Sequence, residues 1–280
     1  MSSGTLYIVA TPIGNLDDFS PRAVRVLREV DAILAEDTRH SAALLRHFHI
    51  STPVRAFHEH NERARYRQVC DELEGGHDLA LISDAGTPLI SDPGYRLVRE
   101  AHRRGIPVVP VPGPSAVMAA LSSAGLPTDR FAFEGFLPAR GAARRTRLEI
   151  LADEPRTLVF LEAPHRLQAT LHDLRDCFGA QREACLAREI SKRHETIRLM
   201  PLEDLVRWVD EDPDQRRGEA VLVVAGAGAA APSPQVDLDR LLAPLLSRLP
   251  LKEAVAVAVE ATGLRRNEVY QRALALQGRT

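Results

Sequence analysis

Ser83-Asp-Ala-Gly-Thr-Pro-Leu-Ile-Ser-Asp-Pro-Gly94 is the stretch that decides the fold. It follows the apolar run Leu79–Ile82, whose length and Gly/Pro-rich end predict a buried β-strand. Two Asp, two Gly, two Pro and two Ser in twelve residues cannot pack as a core element, so the stretch is predicted to be a loop. In open α/β sheets ligands bind beyond the carboxyl ends of the strands, where this loop would lie.

Particular residues of this loop suit a ligand. Asp84 offers a carboxylate to a ribose diol or an amino group, Gly86 permits close backbone approach, and Pro88 fixes the loop's shape. Asp92 stands directly before Pro93, and we predict that it is instead the N-cap of a helix with proline at its first position.

Strand and helix patterns alternate on either side of this loop. The predicted strands are Thr5–Ala10, Ala32–Ala35, Val54–Ala56, Leu79–Ile82 and Val108–Val111. The predicted helices are Arg22–Glu29, Ser41–His47, Glu62–Leu73, Tyr95–Arg104 and Ser115–Ser122. This order predicts a mostly parallel sheet covered by helices, and the unbroken apolar runs indicate strands buried on both faces.

Two further loops follow strands of the same sheet. Thr11-Pro-Ile-Gly-Asn15 comes after the first strand and lacks the GxGxxG pattern of dinucleotide-binding folds. Val111-Pro-Gly-Pro-Ser115 comes after the fifth strand, and Ser115 would cap the next helix or offer its hydroxyl to a ligand. Because the carboxyl ends of parallel strands meet at one edge, the three loops together predict one ligand cleft.

The pattern changes after about Phe131. Strands are predicted at Arg130–Glu134, Thr157–Glu162, Glu183–Arg188, Glu195–Leu199 and Ala220–Val224, with helices at Ala142–Leu151, Pro164–Cys177 and Leu202–Val209. Several connections are too short for helical crossovers, which predicts a mixed or antiparallel sheet. We expect two α/β domains, 1–118 and 119–228, with the cleft between them.

A small helical module is predicted at the end of the chain. The segment Ala225–Pro234 has the composition of a linker, and helices are predicted at Leu238–Leu246, Leu251–Ala261 and Arg266–Ala275. The module at 236–280 would resemble a helix-turn-helix unit, and a helical cap on the preceding domain is the alternative.

Composition excludes several classes of protein. No apolar run approaches the ~20 residues that span a bilayer, and no basic residue precedes the first apolar stretch, so we expect a cytoplasmic protein. The three cysteines have no paired spacing, which predicts free thiols. His58-Glu-His-Asn61 lacks a third ligand nearby, so no metal is expected.

The net charge of −2 argues against a protein with a basic surface throughout. Any contact with nucleic acid should therefore be confined to local clusters of basic residues. We predict nucleic-acid contacts at the clustered basic residues Arg140, Arg144, Arg145, Arg147, Lys192, Arg193, Arg265 and Arg266. The segment Ala139–Arg145, which contains the first three, should be exposed and mobile, and a solvated helix start is the alternative.

Seven motifs stand in order along the chain: ATPIGNL (Ala10–Leu16), AEDTR (Ala35–Arg39), SDAGTPLISDPG (Ser83–Gly94), PGPSA (Pro112–Ala116), FEGFLP (Phe133–Pro138), LEAPHR (Leu161–Arg166) and AREISK (Ala187–Lys192). With them the chain resembles the bacterial ribosomal RNA small subunit methyltransferase I family of the tetrapyrrole methylase superfamily. The resemblance runs from about Gly4 to Ala225, and the C-terminal helices also fit.

This resemblance implies S-adenosylmethionine in the cleft between two α/β domains. It also implies a homodimer that acts on 16S rRNA of the 30S subunit, methylating the ribose 2′-oxygen of cytidine 1402 in the decoding centre. The implied cofactor-binding residues are Pro12, Gly14, Asp84, Gly86, Thr87, Pro88, Ser115, Ala116, Leu161, Ala163, Ala187 and Gly218.

A ribose hydroxyl is a poor nucleophile, so a base or an oriented acceptor would assist the reaction. Asp37 and Glu162 are candidate bases, and Arg39 would hold a phosphate. Their alternatives are structural: Asp37 would cap a helix and pair with Arg39, and Glu162 would accept backbone hydrogen bonds. The alternative functions are methylation of a tetrapyrrole or corrinoid precursor, and a non-catalytic RNA-binding role in ribosome assembly.

Overall fold

The computed structural model describes residues 3–228, 238–262 and 266–277. The chain forms two compact units, Met1–Ala229 and Ala230–Thr280. Most of the predicted linker and the predicted RNA-binding residue Arg265 lie outside the described residues.

The first sheet is entirely parallel, as predicted. Its strands are β1 (Leu6–Val9), β2 (Ala32–Ala35), β3 (Val54–Ala56), β4 (Leu79–Ile82) and β5 (Val108–Val111), in the order β3-β2-β4-β1-β5. The helices are α1 (Pro21–Glu29), α2 (Thr38–His47), α3 (Glu59–Glu74), α4 (Tyr95–Arg103) and α5 (Ala116–Ser123). Every residue of β2 and β4 is buried, because helices cover both faces of the sheet.

The start of α3 differs from the prediction. The helix begins at Glu59, because the backbone N–H of His58 donates to Asn61 Oδ1 at 2.9 Å and caps the first turn. The segment His58–Asn61 is therefore a helix start.

The second sheet is mixed, which confirms the prediction from its short connections. Its strands are β6 (Phe131–Phe136), β7 (Thr157–Glu162), β8 (Glu183–Arg188), β9 (Thr196–Pro201) and β10 (Ala220–Val224), in the order β6-β7-β10-β8-β9. Only β6 and β7 are parallel among these pairs of described strands. Helices α6 (Gly141–Leu151), α7 (Leu167–Phe178) and α8 (Leu202–Glu211) pack on one face. The predicted helix Pro164–Cys177 is divided, because Pro164–Arg166 forms a 3₁₀ turn before α7.

Helix α5 connects the two sheets. It follows β5 of the first sheet, yet its buried residues Val117, Ala120 and Leu121 pack against Val159 and Val221 of the second. The boundary expected at residue 118 thus falls inside α5, and the parts on either side of it belong to one compact unit.

The second unit has a core of its own. Helices α9 (Leu238–Leu246), α10 (Leu251–Thr262) and α11 (Arg266–Gln277) enclose Leu242, Val255, Ala258, Val269 and Ala273. Three short helices were predicted here, and their observed ends differ from the prediction by no more than two residues. In the described parts of the chain, none of the helices has the length and apolarity to cross a bilayer.

Candidate active site

The loops after β1, β4 and β5 meet at one edge of the first sheet, as the sequence predicts. Thr11 and Gly86 exchange backbone hydrogen bonds of 2.9 and 3.0 Å, which tie the first loop to the second. Thr87 Oγ1 donates to the Pro114 carbonyl oxygen at 3.0 Å, which ties the second loop to the third. The hydroxyl of Ser115 caps α5 by accepting from the Met118 N–H.

The backbone of the central loop is held in an unusual conformation. Gly86, Leu89, Ser91 and Gly94 have φ angles of 83°, 71°, 70° and 128°. Such angles are unfavourable for Leu and Ser, and strained residues of this kind cluster at functional sites.

A first cavity of about 510 Å³ opens beside this loop and extends to the second sheet. This volume falls within the range of ligand pockets, about 300–1,000 Å³. Seven of the implied cofactor-binding residues line it: Asp84, Gly86, Thr87, Ser115, Ala116, Leu161 and Ala163.

The other implied cofactor-binding residues lie elsewhere. Pro12 and Gly14 line a second, adjoining cavity. Pro88, Ala187 and Gly218 line neither cavity. Ala187 is fully buried within the second sheet.

Five carboxylates line the first cavity: Glu162 and Glu219 form ion pairs, whereas Glu36, Asp84 and Asp92 have no ion-pair partner among the described residues. Burial, together with the charge of Asp84, raises the pKa of Glu36. Burial, together with the charge of Glu36, raises the pKa of Asp92 to about 6, although a hydrogen bond with Ser83 acts in the opposite direction. Asp84 Oδ1 is oriented by the Asp37 N–H at 3.1 Å. The cluster is suited to a ligand that carries positive charge.

Sequence reasoning missed two of the three carboxylates that have no described ion-pair partner. The predicted N-cap role of Asp92 is wrong, because α4 begins at Tyr95 and Gly94 is its N-cap. The sequence analysis predicts a role in the site for Asp37 and none for its neighbour Glu36, although Glu36 directly follows β2 at the same sheet edge. The rule that ligands bind beyond the carboxyl ends of parallel strands identified the three loops, and it applies to Glu36 as well.

The two candidate bases have structural roles. Asp37 Oδ1 caps α2 by accepting from the N–H groups of Arg39 and His40 at 2.7 and 3.2 Å, which lowers the pKa of Asp37. Asp37 lines neither cavity.

Glu162 lies in the wall of the first cavity but is 2% exposed. Its carboxylate accepts from the Ala163 N–H at 2.8 Å and from Thr170 Oγ1 at 2.5 Å, and Arg166 Nε lies 3.2 Å away. Both oxygens of this carboxylate are thus engaged by neighbouring groups of the protein.

The second cavity, of about 610 Å³, lies beside the first. Helix α2 contributes Arg39, His40, Ser41, Ala43, Leu44 and His47 to its wall. Four residues line both cavities: Ile13, Asp84, Ala85 and Glu219. We call these four the shared wall.

The predicted exposure of the segment Ala139–Arg145 is wrong for Arg144. Its guanidinium is buried and Nε donates to Asp173 Oδ2 at 2.6 Å, because one face of α6 packs on α7. Arg145 also pairs with Asp173, and Arg147 pairs with Glu134 at 2.5 Å. Arg140 is exposed.

Lys192 is not a free cation either. Its Nζ lies 2.9 Å from both Glu189 Oε1 and Glu219 Oε2, and its side chain crosses Gly14, where a Cβ atom would lie 2.3 Å from Lys192 Cγ. The predicted contact residues Arg193 and Arg266 are exposed.

Metal ligands are not grouped at either cavity. Within residues 3–228, 238–262 and 266–277, no three His, Cys, Asp or Glu side chains are placed to hold a metal ion.

Comparison with known proteins gives the family. A model of the Tetrapyrrole (Corrin/Porphyrin) Methylases matches residues 5–206, and a model of the RsmI C-terminal HTH domain matches residues 232–277. The chain is 59% identical to the Ribosomal RNA small subunit methyltransferase I of Pseudomonas aeruginosa over the whole of both chains. It belongs to the ribosomal RNA small subunit methyltransferase I family. A member from Escherichia coli O157:H7 is 50% identical over 99% of this chain and 97% of its own.

Solved structures agree on the fold of this family. A uroporphyrin-III-C-methyltransferase from Thermus thermophilus superposes with a TM-score of 0.53 at 22% identity, covering 80% of this chain and 96% of its own. At that identity the likeness concerns the fold alone, and it confirms the predicted tetrapyrrole-methylase-like architecture.

Proposed function

We propose that this protein transfers a methyl group from S-adenosylmethionine to the 2′-oxygen of the cytidine 1402 ribose in 16S rRNA. The observation that carries the proposal is the 59% identity, over the full length of both chains, to a relative named for methylation of small-subunit ribosomal RNA. The match of the C-terminal region to the HTH domain model of the same family supports an RNA substrate.

The residues of the first cavity fit S-adenosylmethionine. The cofactor carries positive charge on its sulfonium and amino groups, and three of the five carboxylates that line the cavity have no ion-pair partner among the described residues. Asp84 is oriented by a backbone donor and is suited to hold the ribose diol or the amino group, while Gly86 supplies the left-handed backbone conformation of the loop, with φ of 83°. Leu161 and Val221 provide an apolar surface for the adenine ring.

Bound S-adenosylmethionine supplies an electrophilic methyl carbon, so the reaction needs neither a metal nor a covalent enzyme intermediate. The chain must hold the acceptor oxygen in line with that carbon and exclude water. The ties between Thr11 and Gly86 and between Thr87 and Pro114 keep the loops of the cavity in fixed relative positions. Rigid loops of this kind reduce the entropy that is lost when the reactants are aligned.

We further propose that the active form is a cytoplasmic homodimer and that it acts on the 30S particle. A second candidate function is methylation of a tetrapyrrole or corrinoid precursor, which the match to the Tetrapyrrole (Corrin/Porphyrin) Methylases model favours. A non-catalytic role in ribosome assembly is disfavoured by the carboxylate-lined cavity, which a pure RNA-binding protein does not need.

The test is transfer of labelled methyl groups to three acceptors: 30S particles that lack the modification, free 16S rRNA, and a porphyrin precursor. We expect label in the ribosomal RNA, with the modified linkage resistant to alkaline hydrolysis because its 2′-oxygen is blocked. Asp84→Asn should abolish labelling, whereas Asp129→Asn, an exposed carboxylate distant in sequence from the site loops, should not. Label only in the porphyrin precursor, or at a base and not a ribose, would contradict the proposal.

A further inference from the structure

The two cavities share a wall, and this arrangement constrains where the acceptor can bind. Asp84 and Ala85 at the end of β4, with Ile13 and Glu219, line both cavities. Methyl transfer requires the acceptor atom to lie about 3–3.5 Å from the methyl carbon. If the cofactor occupies the first cavity, an acceptor held in the second cavity can reach it only across this shared wall.

The second cavity differs from the first in charge. The first is lined by five carboxylates, three of them without a described ion-pair partner, whereas α2 places Arg39, His40 and His47 in the wall of the second. Lys192 also lines the second cavity, but Glu189 and Glu219 neutralise it. Arg39 forms no side-chain ion pair with any residue that the structure describes. Its guanidinium is therefore available to a phosphate, which it can bind through two parallel hydrogen bonds.

A buried hydroxyl in the same wall points to a ligand independently of the charge. Ser41 is 3% exposed, and its Oγ has no hydrogen-bond partner among the described residues. Buried hydroxyls nearly always have a partner, so an unsatisfied one that lines a cavity indicates a polar group that completes it.

The remaining wall is apolar. Leu16, which is 40% exposed, lies with Ala43 and Leu44 around the cavity. An apolar surface next to a cation and an unpaired hydroxyl suits a nucleotide, which combines a base, a ribose and a phosphate. Enzymes that modify one nucleotide of a folded nucleic acid extrude it into such a pocket.

We propose that the second cavity is the acceptor subsite and receives one extruded RNA nucleotide. The phosphate of this nucleotide binds Arg39, Ser41 donates to or accepts from the nucleotide, and the ribose hydroxyl lies at the shared wall beside Asp84. This inference rests on the proposed function, and it extends that function by assigning a position to the acceptor.

The test compares variants that alter only the second cavity. Arg39→Gln removes the phosphate contact, and Ala43→Trp fills the cavity with an indole ring. Arg46 is exposed on the same helix but lines neither cavity, so Arg46→Gln and Arg46→Trp are matched controls for charge and for bulk. Methylation kinetics are measured on 30S particles at several salt concentrations, cofactor affinity is measured by calorimetry, and folding is checked by thermal unfolding.

We expect Arg39→Gln to raise the apparent KM for 30S particles about tenfold to a hundredfold, as loss of a charged hydrogen bond predicts. The slope of log KM against log salt should fall by roughly 0.7–0.9, the value for one phosphate contact. Ala43→Trp should abolish methylation. The cofactor Kd of both variants should stay within about twofold of the wild-type value, and both controls should behave as wild type.

Three results would overturn the assignment of the acceptor subsite while leaving the proposed function intact. They are unchanged kinetics in both cavity variants, a loss of cofactor affinity that matches the loss of methylation, and equal losses in the Arg46 controls. Failure of the wild-type protein to methylate ribosomal RNA would be a separate result, and it would overturn both proposals.

Discussion

Replacing Asp92 with Asn should stabilise the protein at neutral pH. Burial and the nearby charge of Glu36 raise the pKa of Asp92 from 3.8 to about 6, so the charged carboxylate is disfavoured in the folded state. Because the folded state binds this proton more tightly than the unfolded state, stability falls as pH rises from about 3.8 to 6 and remains lower above that window. Asn has a similar shape but no charge, so the substitution removes this cost.

The magnitude follows from the difference between the two pKa values. Each pKa unit corresponds to about 1.4 kcal/mol, so a difference of roughly two units sets an upper limit near 3 kcal/mol. Asp92 is only partly buried, and solvent screening reduces the expected gain to about 1 kcal/mol.

Urea unfolding at pH 7.5 and at pH 4 measures the effect. Asp92→Asn should raise the free energy of unfolding at pH 7.5 and leave it near the wild-type value at pH 4, where Asp92 itself is largely protonated in the folded state. Asp129→Asn, an exposed control, should change it little at either pH. The reasoning fails if Asp92→Asn is neutral or destabilising at pH 7.5, or if its effect is the same at both pH values.

Three further predictions concern the cavity, the buried ion pair and the central loop. Cofactor affinity should weaken as pH falls below about 6, because the carboxylates with raised pKa lose their charge; calorimetry that gives a flat pH profile would contradict this. Arg144→Met should lower the free energy of unfolding by about 2 kcal/mol, because it removes the buried one of the two guanidinium groups that pair with Asp173, whereas Arg140→Gln should have little effect; equal losses of unfolding free energy in urea would contradict this. Gly94→Ala should cost about 2 kcal/mol, because φ is 128° and the added Cβ would lie 2.7 Å from Leu81 Cδ2. Gly105→Ala, with φ of 70° and open space around the Cβ, should cost only about 1 kcal/mol, and the same urea titration compares the two.

The first sheet was predictable because its strands β2 and β4 are buried on both faces. Such strands stand out as short, continuous apolar runs between turn residues, and β2 to β5 match their predicted bounds residue for residue. The start of α3 was missed for a different reason. The cap of that helix is a hydrogen bond between His58 and Asn61, a pairing that apolar periodicity does not detect.

The site was predictable only where it depends on local sequence. The three loops carry Gly and Pro in patterns that mark turns. They lie together because the carboxyl ends of parallel strands meet at one edge of the sheet. The raised pKa of Asp92 depends instead on burial and on the charge of Glu36, which comes from another strand end. Locally, Asp92 before Pro93 has the pattern of a helix cap, so the sequence favoured the wrong role. The burial of Arg144 likewise depends on Asp173 of a different helix.

The edge of the first sheet combines several features that each destabilise the ligand-free chain. Leu89 and Ser91 adopt left-handed backbone conformations, three carboxylates without a described ion-pair partner share one cavity, and the Ser41 hydroxyl is buried without a described partner. The strands β2 and β4 that lead into this edge are buried throughout, so poor packing of the sheet does not account for these costs. A cation in the first cavity would relieve repulsion among the carboxylates, and a polar group in the second would complete the hydrogen bonding of Ser41. The unfavourable features of the free protein thus coincide with the two positions that a cationic methyl donor and a nucleotide acceptor require.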